Sequence, residues 1–155
     1  MSESRVIGCL GEKLVGHWLE SQGWQILYHQ WHCRYGEIDL IAVERGESGI
    51  LTLSFVEVKT RGQRNWDQGG LLAITPKKQA KIIRSAELFL SDRPQFLECP
   101  CRFDVALVCY HPDPTPNSVS EEIPSLSPPT KIGQPLLVNG YRLILQDYLE
   151  SAFSQ

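Results

Sequence analysis

Two carboxylates and a lysine stand inside a predicted β-hairpin, where burying charge is costly. The segments GEIDLIAVE and ILTLSFVEV are rich in strand-forming apolar residues, and RGESG between them favours a turn. If the turn centres on its serine, residues whose numbers sum to 96 lie opposite each other, which pairs Asp39 with Glu57. Directly opposed side chains project to the same side, with Cβ atoms about 4.5–5.5 Å apart. Lys59 shares the face of Glu57, because side chains alternate along a strand.

Two carboxylates placed in this way repel each other, and one of three arrangements must relieve the repulsion. Either one carboxyl group stays protonated, or Lys59 neutralises the pair, or a divalent cation lies between the two carboxylates. Ligands that are all oxygens, on a partly open site, suit Mg²⁺ or Mn²⁺ better than zinc. Lys59 can then hold a water or a phosphoryl oxygen. The alternative is a structural Asp–Lys–Glu cluster at the rim of the sheet.

The other apolar patterns predict the elements that must position this hairpin. Helices are indicated by apolar residues at helical spacing, and strands by short apolar or alternating runs. The expected order is a helix over 5–22, strands at 24–30, 36–44 and 50–58, a helix over 75–90, a strand at 102–110, a hairpin that turns at Asn139-Gly140, and a short helix over 146–153. This order predicts an α/β (α+β) domain with a mixed β-sheet and helices on its faces.

Length and composition limit the classes of protein to which the chain can belong. A chain of 155 residues suits a single domain, and residues 111–135, rich in proline and serine, are expected to be an insertion or loop. No stretch approaches the ~20 apolar residues of a membrane span. The first residues resemble neither a signal peptide nor a myristoylation site. We therefore expect a cytoplasmic protein with no membrane partner.

The cysteines number five, and an odd number argues against a closed set of disulfides. Cys99 and Cys101 raise the alternative of a zinc site. However, C-x-C lacks the usual two-residue gap, and no second pair follows it. Buried or free thiols are therefore the favoured interpretation.

Positive charge is concentrated in one part of an acidic chain. Residues 59–84 carry seven lysines and arginines against one aspartate, a net charge of +6, so the rest carries −9 of the overall −3. A local basic patch of this kind is what phosphate binding requires, and a solvated helix face is the alternative. The residues expected to contact a nucleic-acid backbone are Arg61, Arg64, Trp66, Lys77, Lys78 and Lys81. The first three are placed in a loop just beyond the hairpin, where Trp66 either stacks on a base or packs under its own loop.

The order of the charged residues resembles the PD-(D/E)xK nuclease superfamily, which has a helix glutamate, a strand aspartate and then E-x-K on the next strand. The chain is similar in more detail to the YraN family, a small bacterial family grouped with archaeal Holliday-junction resolvases. The segments that carry this resemblance are GEKLVGHWLESQGWQIL, RYGEIDLIA, FVEVKTR and RFDVALV. It covers residues 8–110, whereas residues 111–140 do not follow it. It implies a restriction-endonuclease-like mixed sheet flanked by helices, with an αβββαβ core.

The resemblance also implies roles for residues of the hairpin. Asp39 and Glu57 would hold a catalytic Mg²⁺ or Mn²⁺, with the backbone carbonyl of Val58 as a third ligand. Lys59 would orient or activate the attacking water and stabilise charge on the phosphate.

Two helix residues are implicated as well. Glu12 lies in a column with Gly8 and Gly16, which indicates either a close approach at this face or a solvated glutamate with incidental glycines. It also matches the helix glutamate of the resolvases, which acts on a metal-bound water or a second ion. Gln79 matches a polar position that faces the site in related nucleases, with a structural amide as the alternative. Glu37 and Asp104 fit the family pattern and are expected to have supporting or structural roles, with direct involvement in the site as the alternative.

The function implied is that of a metal-dependent endonuclease that hydrolyses phosphodiester bonds in DNA, with structured or branched DNA as the favoured substrate. A competing hypothesis is a catalytically silent nucleic-acid-binding accessory protein with the same fold. A third is an enzyme acting on another phosphodiester or nucleotide. Cleavage of a symmetric junction would favour a homodimer with two-fold symmetry.

Overall fold

The helices and strands follow the predicted order through the first six elements. The computed structural model describes residues 2–62, 74–113 and 131–154. The elements in these ranges are α1 (Glu3–Ser21), β1 (Gln25–Cys33), β2 (Gly36–Arg45), β3 (Leu51–Gly62), α2 (Pro76–Ser91), β4 (Cys101–Pro112), β5 (Pro135–Val138) and β6 (Tyr141–Phe153), with a short 3₁₀ helix at Pro94–Phe96. The αβββαβ core is therefore confirmed.

The described strands form one mixed sheet in the order β1-β2-β3-β4-β6-β5. The first three strands are antiparallel neighbours, β3 and β4 are parallel, and the pairs β4–β6 and β6–β5 are antiparallel again. The crossover that a parallel pair requires is made by α2. This is the restriction-endonuclease-like arrangement of a mixed sheet flanked by helices that the sequence predicts.

The ends of the helices agree with the sequence signals. The side chain of Thr75 caps α2 by accepting a hydrogen bond from the N–H of Lys78 at 3.2 Å, and Pro76 takes the first helical position. Gly23 follows α1 with φ +97°, a conformation that glycine adopts without strain. Neither helix in the described ranges is long and apolar enough to cross a membrane.

Within the described ranges, each face of the sheet carries one α-helix and its own apolar cluster. On one face, Leu14 and Leu19 of α1 are fully buried in a cluster that includes Val56 of β3. On the other face, Phe89 of α2 meets the ring of Phe55 edge-on, with centroids 5.9 Å apart. The central strands are therefore covered on both sides, and polar groups can reach solvent only near the strand ends.

The β2–β3 hairpin has the register that the sequence predicts. The pairs run from Arg45 opposite Leu51 to Leu40 opposite Val56, so the residue numbers of every pair sum to 96. Gly49 adopts φ +82° in the turn, a conformation that favours glycine. In this register, Asp39 and Glu57 are the next positions on the two strands.

The C-terminal segment QDYLESAF is a strand, so the prediction of a short helix there is wrong. It belongs to β6, which pairs with β4 as far as Phe153 opposite Phe103, and these two rings stack 5.1 Å apart. The hydroxyl of Tyr148 and the N–H of Ser151 donate hydrogen bonds to Asp104 of β4, at 2.7 and 2.9 Å. Pairing with a neighbouring strand outweighs the local helical pattern, because intrinsic propensity is a weak preference.

The ends of the predicted insertion at 111–135 belong to strands. His111 and Pro112 complete β4, and Pro135 begins β5. Residues 114–130 lie outside the described residues, so the insertion itself stays a prediction. The turn between β5 and β6 has φ +53° at Asn139 and +77° at Gly140, as expected for type I′.

Gly11 of α1 lies where the helix approaches β3 closely. A Cβ at this position would lie 2.4 Å from Oγ1 of Thr60. We expect Gly11→Ala to lower the free energy of unfolding by about 1–3 kcal/mol, as overpacking does. At Gly8 a Cβ would have no atom within 4 Å, so the close approach predicted there is wrong. Gly8→Ala should raise the free energy of unfolding by about 0.5–1 kcal/mol through helix propensity. Urea unfolding measures both, and equal effects would contradict the close approach.

Candidate active site

The site begins where β2 and β3 separate. The pairing of these two strands ends at Leu40 opposite Val56. Beyond that pair, Oδ2 of Asp39 accepts a hydrogen bond from the N–H of Val58 on β3 at 2.8 Å. Asp39 and Glu57 are both buried, with 9% and 6% of their surface exposed. Two neighbouring carboxylates are thus held out of water at the end of the central hairpin, as the register predicts.

Two further carboxylates approach Asp39. Oxygen atoms of Glu12, Glu37 and Asp39 all lie within 4.8 Å of one another. Glu12 comes from α1 and was expected from the sequence. The sequence favours a supporting or structural role for Glu37 over direct involvement, although strand alternation puts it on the same face as Asp39. It is exposed and also contacts His32, with Nδ1 and Oε2 3.4 Å apart.

The pKa values of the acids reflect this crowding. Burial raises the pKa of Asp39 to about 9, and the charge of Glu57 adds to the effect, while the hydrogen bond from Val58 opposes it. Burial also raises the pKa of Glu12, and the charge of Glu37 contributes, whereas a hydrogen bond from Gln30 lowers it. The cluster therefore favours binding a proton or a cation.

Two lysines converge on a single oxygen of Glu57. Nζ of Lys59 lies 3.4 Å from Oε1 of Glu57, and Nζ of Lys78 lies 2.8 Å from the same atom. Burial lowers the pKa of Lys59, and Lys78 adds to this effect, although Glu57 opposes it. For Lys78 burial also acts to lower the pKa, but hydrogen bonding and attraction to Glu57 outweigh it and the pKa is raised. The sequence placed Lys78 in the nucleic-acid-binding tract, whereas the fold brings it into the site.

Among the described residues, two neighbouring cavities reach both the carboxylates and the lysines from solvent. One, of about 360 Å³, is lined by Glu12, Asp39, Glu57 and both lysines, with Tyr110 at its wall. The other, of about 330 Å³, shares Asp39, Glu57 and Lys78 and extends past Tyr35 and Lys81. A ligand larger than an ion can therefore reach this cluster.

The donor atoms suit a hard divalent cation. In the described ranges, the group of acidic, histidine and cysteine side chains close enough to hold an ion consists of Glu12, Glu37 and Asp39, with oxygen donors alone, which fits Mg²⁺ or Mn²⁺. It contains no cysteine, so the alternative of zinc at Cys99 and Cys101 gains no support there. The backbone carbonyl of Val58 as a ligand stays a prediction.

Gln79 and Asp104 are held by other partners. Nε2 of Gln79 donates to the carbonyl of Ile74 at 3.1 Å, and Gln79 lines neither of the two cavities at the site. Asp104 is fully buried, and its Oδ2 accepts hydrogen bonds from Ser54 at 2.5 Å and Arg102 at 3.0 Å. With the bonds to β6, this network makes Asp104 a structural link among the strands, in keeping with the structural role expected for it.

The predicted basic tract is only partly described. Arg61 lies in β3, opposite Cys109 of β4, so the prediction that it lies in a loop is wrong. The parallel pairing with β4 extends β3 beyond Lys59 as far as Gly62. Lys77 and Lys81 are exposed on the first turns of α2. The remaining predicted contacts, Arg64 and Trp66, lie outside the described residues.

The fold and the site define an α/β domain of nuclease-like architecture, with carboxylates and lysines gathered at the end of its central strands. Comparison with known families agrees with the resemblance seen in the sequence. The model of Uncharacterised protein family UPF0102 matches residues 11–108, and the chain belongs to this family. The YraN-type family membership is therefore confirmed.

Relatives with the same description extend beyond that match. A UPF0102 protein of Acaryochloris marina is 46% identical over 159 residues, covering 99% of this chain and 92% of the relative. One of Trichodesmium erythraeum is 45% identical over 159 residues, covering 94% and 87%. One of Synechococcus sp. (strain JA-3-3Ab) is 54% identical over 106 residues, covering 68% and 77%.

The raised pKa of Asp39 predicts a pH-dependent stability. The folded protein keeps a proton up to about pH 9, whereas an unfolded aspartate releases it near 3.8. This bound proton therefore contributes fully to the free energy of unfolding below about pH 4, and its contribution is lost as the pH rises through about 9. Because one pKa unit corresponds to about 1.4 kcal/mol, metal-free wild type should lose several kcal/mol more unfolding free energy than Asp39→Asn between pH 5 and 9.

Urea unfolding at several pH values, without metal, measures this difference. Asparagine can still accept the hydrogen bond from Val58, so the variant isolates the charge. Millimolar Mn²⁺ should restore wild-type stability at high pH and leave Asp39→Asn unchanged. Parallel pH profiles for the two proteins would contradict the crowded cluster.

Proposed function

We propose that this protein is a metal-dependent endonuclease of the PD-(D/E)xK type, which hydrolyses phosphodiester bonds in DNA, with structured or branched DNA as its substrate. The observation that carries the proposal is the pair of buried carboxylates, Asp39 and Glu57, placed side by side with Lys59 on Glu57. A structural cluster would be expected to balance its charges internally. Here Glu12 and Glu37 add negative charge around Asp39, which favours a cation.

Mg²⁺ or Mn²⁺, when bound, would supply a nucleophilic water at neutral pH and stabilise charge on the non-bridging oxygens. Asp39, Glu12 and Glu37 would hold the ion, since their oxygen atoms lie within 4.8 Å of one another. Glu57, which the sequence predicts as a ligand beside Asp39, lies outside that group and binds the two lysines through Oε1. The hydrogen bond from the N–H of Val58 fixes the orientation of Asp39. These residues therefore provide a site whose donors are positioned before the ion enters.

Lys59 and Lys78 supply positive charge beside the acids. Each ammonium group is held by Oε1 of Glu57, which fixes both at the wall of the cavity. An ammonium acts on a phosphate as a point charge, so both can bind non-bridging oxygens of a backbone that enters there. The lowered pKa of Lys59 also increases the fraction of this lysine that is neutral, and only a neutral amine can accept a proton from an attacking water.

The remaining basic residues extend from the site along two elements. Arg61 follows Lys59 on β3, and Lys77 and Lys81 lie on the first turns of α2. Contacts of lysine and arginine with phosphates position a nucleic acid without reading its sequence. We therefore assign these residues to binding of the sugar-phosphate backbone.

The alternative of a silent binding protein is favoured by one observation. Lys59 and Lys78 together neutralise Glu57 without any metal, as they would in a site that has lost its ion. The same basic residues would still bind DNA. Cleavage and binding must therefore be measured separately.

Four-way junctions, flaps, single strands and linear duplexes, each with Mg²⁺ or Mn²⁺, provide the test of cleavage. We expect wild type to cleave at least one of them, and Glu57→Gln and Lys59→Ala to lower the rate by about 100-fold or more. Glu47→Gln, at an exposed carboxylate in the β2–β3 turn, should match wild type. Cleavage that survives both site substitutions would identify a contaminant and contradict the proposed site. Binding without cleavage in every metal would support the silent alternative.

Salt dependence of DNA binding tests the basic surface. Each phosphate contact that is lost reduces the slope of log affinity against log salt concentration by about 1. Arg61→Ala and Lys77→Ala should each weaken binding and reduce this slope, as measured by fluorescence anisotropy. Arg45→Ala, at the opposite end of the hairpin, should leave it unchanged. Slopes equal to that of wild type would show that Arg61 and Lys77 do not contact DNA and belong to an ordinary solvated surface.

A further inference from the structure

Gln30 has an unusual backbone conformation in the middle of β1. Its φ is +50°, in the left-handed region that residues with a side chain rarely adopt. His29 pairs with Leu40 and Trp31 pairs with Ile38, so the register is the same on both sides of Gln30. No residue is inserted here, and a β-bulge therefore does not account for the conformation. The same register places Gln30 opposite Asp39.

The side chain of Gln30 leaves the sheet for α1. Its Nε2 donates a hydrogen bond to Oε2 of Glu12 at 2.9 Å and lies 3.9 Å from Sγ of Cys9. A carboxylate only accepts hydrogen bonds, so the amide nitrogen must face Glu12. Gln30 thus connects two of the carboxylates of the site, since it lies beside Asp39 on the sheet and donates a hydrogen bond to Glu12 on the helix.

Strain of this kind persists only where surrounding contacts impose it, and it tends to occur at functional sites. The described residues contain two other residues with side chains and positive φ, and both have evident causes. Asn139 forms the β5–β6 turn, and Ser151 donates its N–H to Asp104. For Gln30 the contact that accompanies the strained backbone is the hydrogen bond to Glu12.

We propose that Gln30 is a positioning residue, which holds the carboxylate of Glu12 against Asp39 in the arrangement that a divalent cation requires. This inference rests on the proposed metal site and adds to it a residue that supports a ligand without binding the ion. Groups that orient metal ligands in this way typically contribute 10–100-fold to metal affinity. The strained backbone is the cost of directing the amide towards α1.

The test compares metal affinity with stability in the same variants. Gln30→Gly removes the amide and the strain together, so the midpoint of thermal unfolding without metal should rise by about 2–4 °C. Its affinity for Mn²⁺ alone, measured by isothermal titration calorimetry, should fall by about 10–100-fold. Gln30→Ala should lose as much affinity for Mn²⁺ as Gln30→Gly. Its unfolding midpoint should not rise, because alanine at this position keeps the strained positive φ.

Gln25→Gly is the matched control, since Gln25 is an exposed glutamine at the start of β1 and is not among the residues with positive φ. It should lower the unfolding midpoint and leave Mn²⁺ affinity unchanged. The inference is overturned if Gln30→Gly binds Mn²⁺ as wild type does, or is destabilised as much as Gln25→Gly.

Two further variants separate this inference from the proposed metal site. If Glu12→Gln and Asp39→Asn no longer bind Mn²⁺ while Gln30→Gly binds it as wild type does, the proposed metal site is supported and the role proposed for Gln30 is wrong. If wild type does not bind Mn²⁺, or if Glu12→Gln and Asp39→Asn bind it as wild type does, the proposed site and the role of Gln30 both fail.

Discussion

The crowding of buried carboxylates where β2 and β3 separate is the constraint on which the rest of the site depends. Asp39 and Glu57 are both shielded from water, and burial with mutual repulsion raises the pKa of Asp39 to about 9. The surrounding groups counteract this unfavourable charge. Val58 donates its N–H to Asp39, and two lysines lie on Glu57. A cluster that is only partly neutralised is suited to take up a cation.

The sheet topology explains why the crowding occurs at this point. β3 continues to Gly62 because β4 pairs with it in parallel, while the ladder with β2 has already ended at Leu40. The crossover helix α2 begins after β3, so Lys78 in its first turn lies near Glu57. From the other face, α1 brings Glu12 to the same place. The two helices thus contribute opposite charges to one strand end.

Much of the fold could be predicted because its signals are local. The register of the central hairpin follows from the turn residues and the alternation of side chains, and it placed Asp39 beside Glu57 correctly. The C-terminal segment shows where local signals fail. Its sequence is compatible with a helix, but Tyr148 and Ser151 bind Asp104, which is more than 40 residues away along the chain. Long-range pairing of this kind has no signature in a single short segment.

The sequence by itself determined which residue types meet in the hairpin, namely two acids and a lysine on one face, because strand periodicity and a short turn leave little freedom. Only the tertiary structure decided what surrounds them. Lys78 rather than Gln79 meets Glu57, although the two are neighbours in sequence, since adjacent helical residues point about 100° apart. Gln30 reaches Glu12 because β1 and α1 pack on the same side of the site. Contacts between elements depend on how the elements dock, and docking is set by the packing of the whole core.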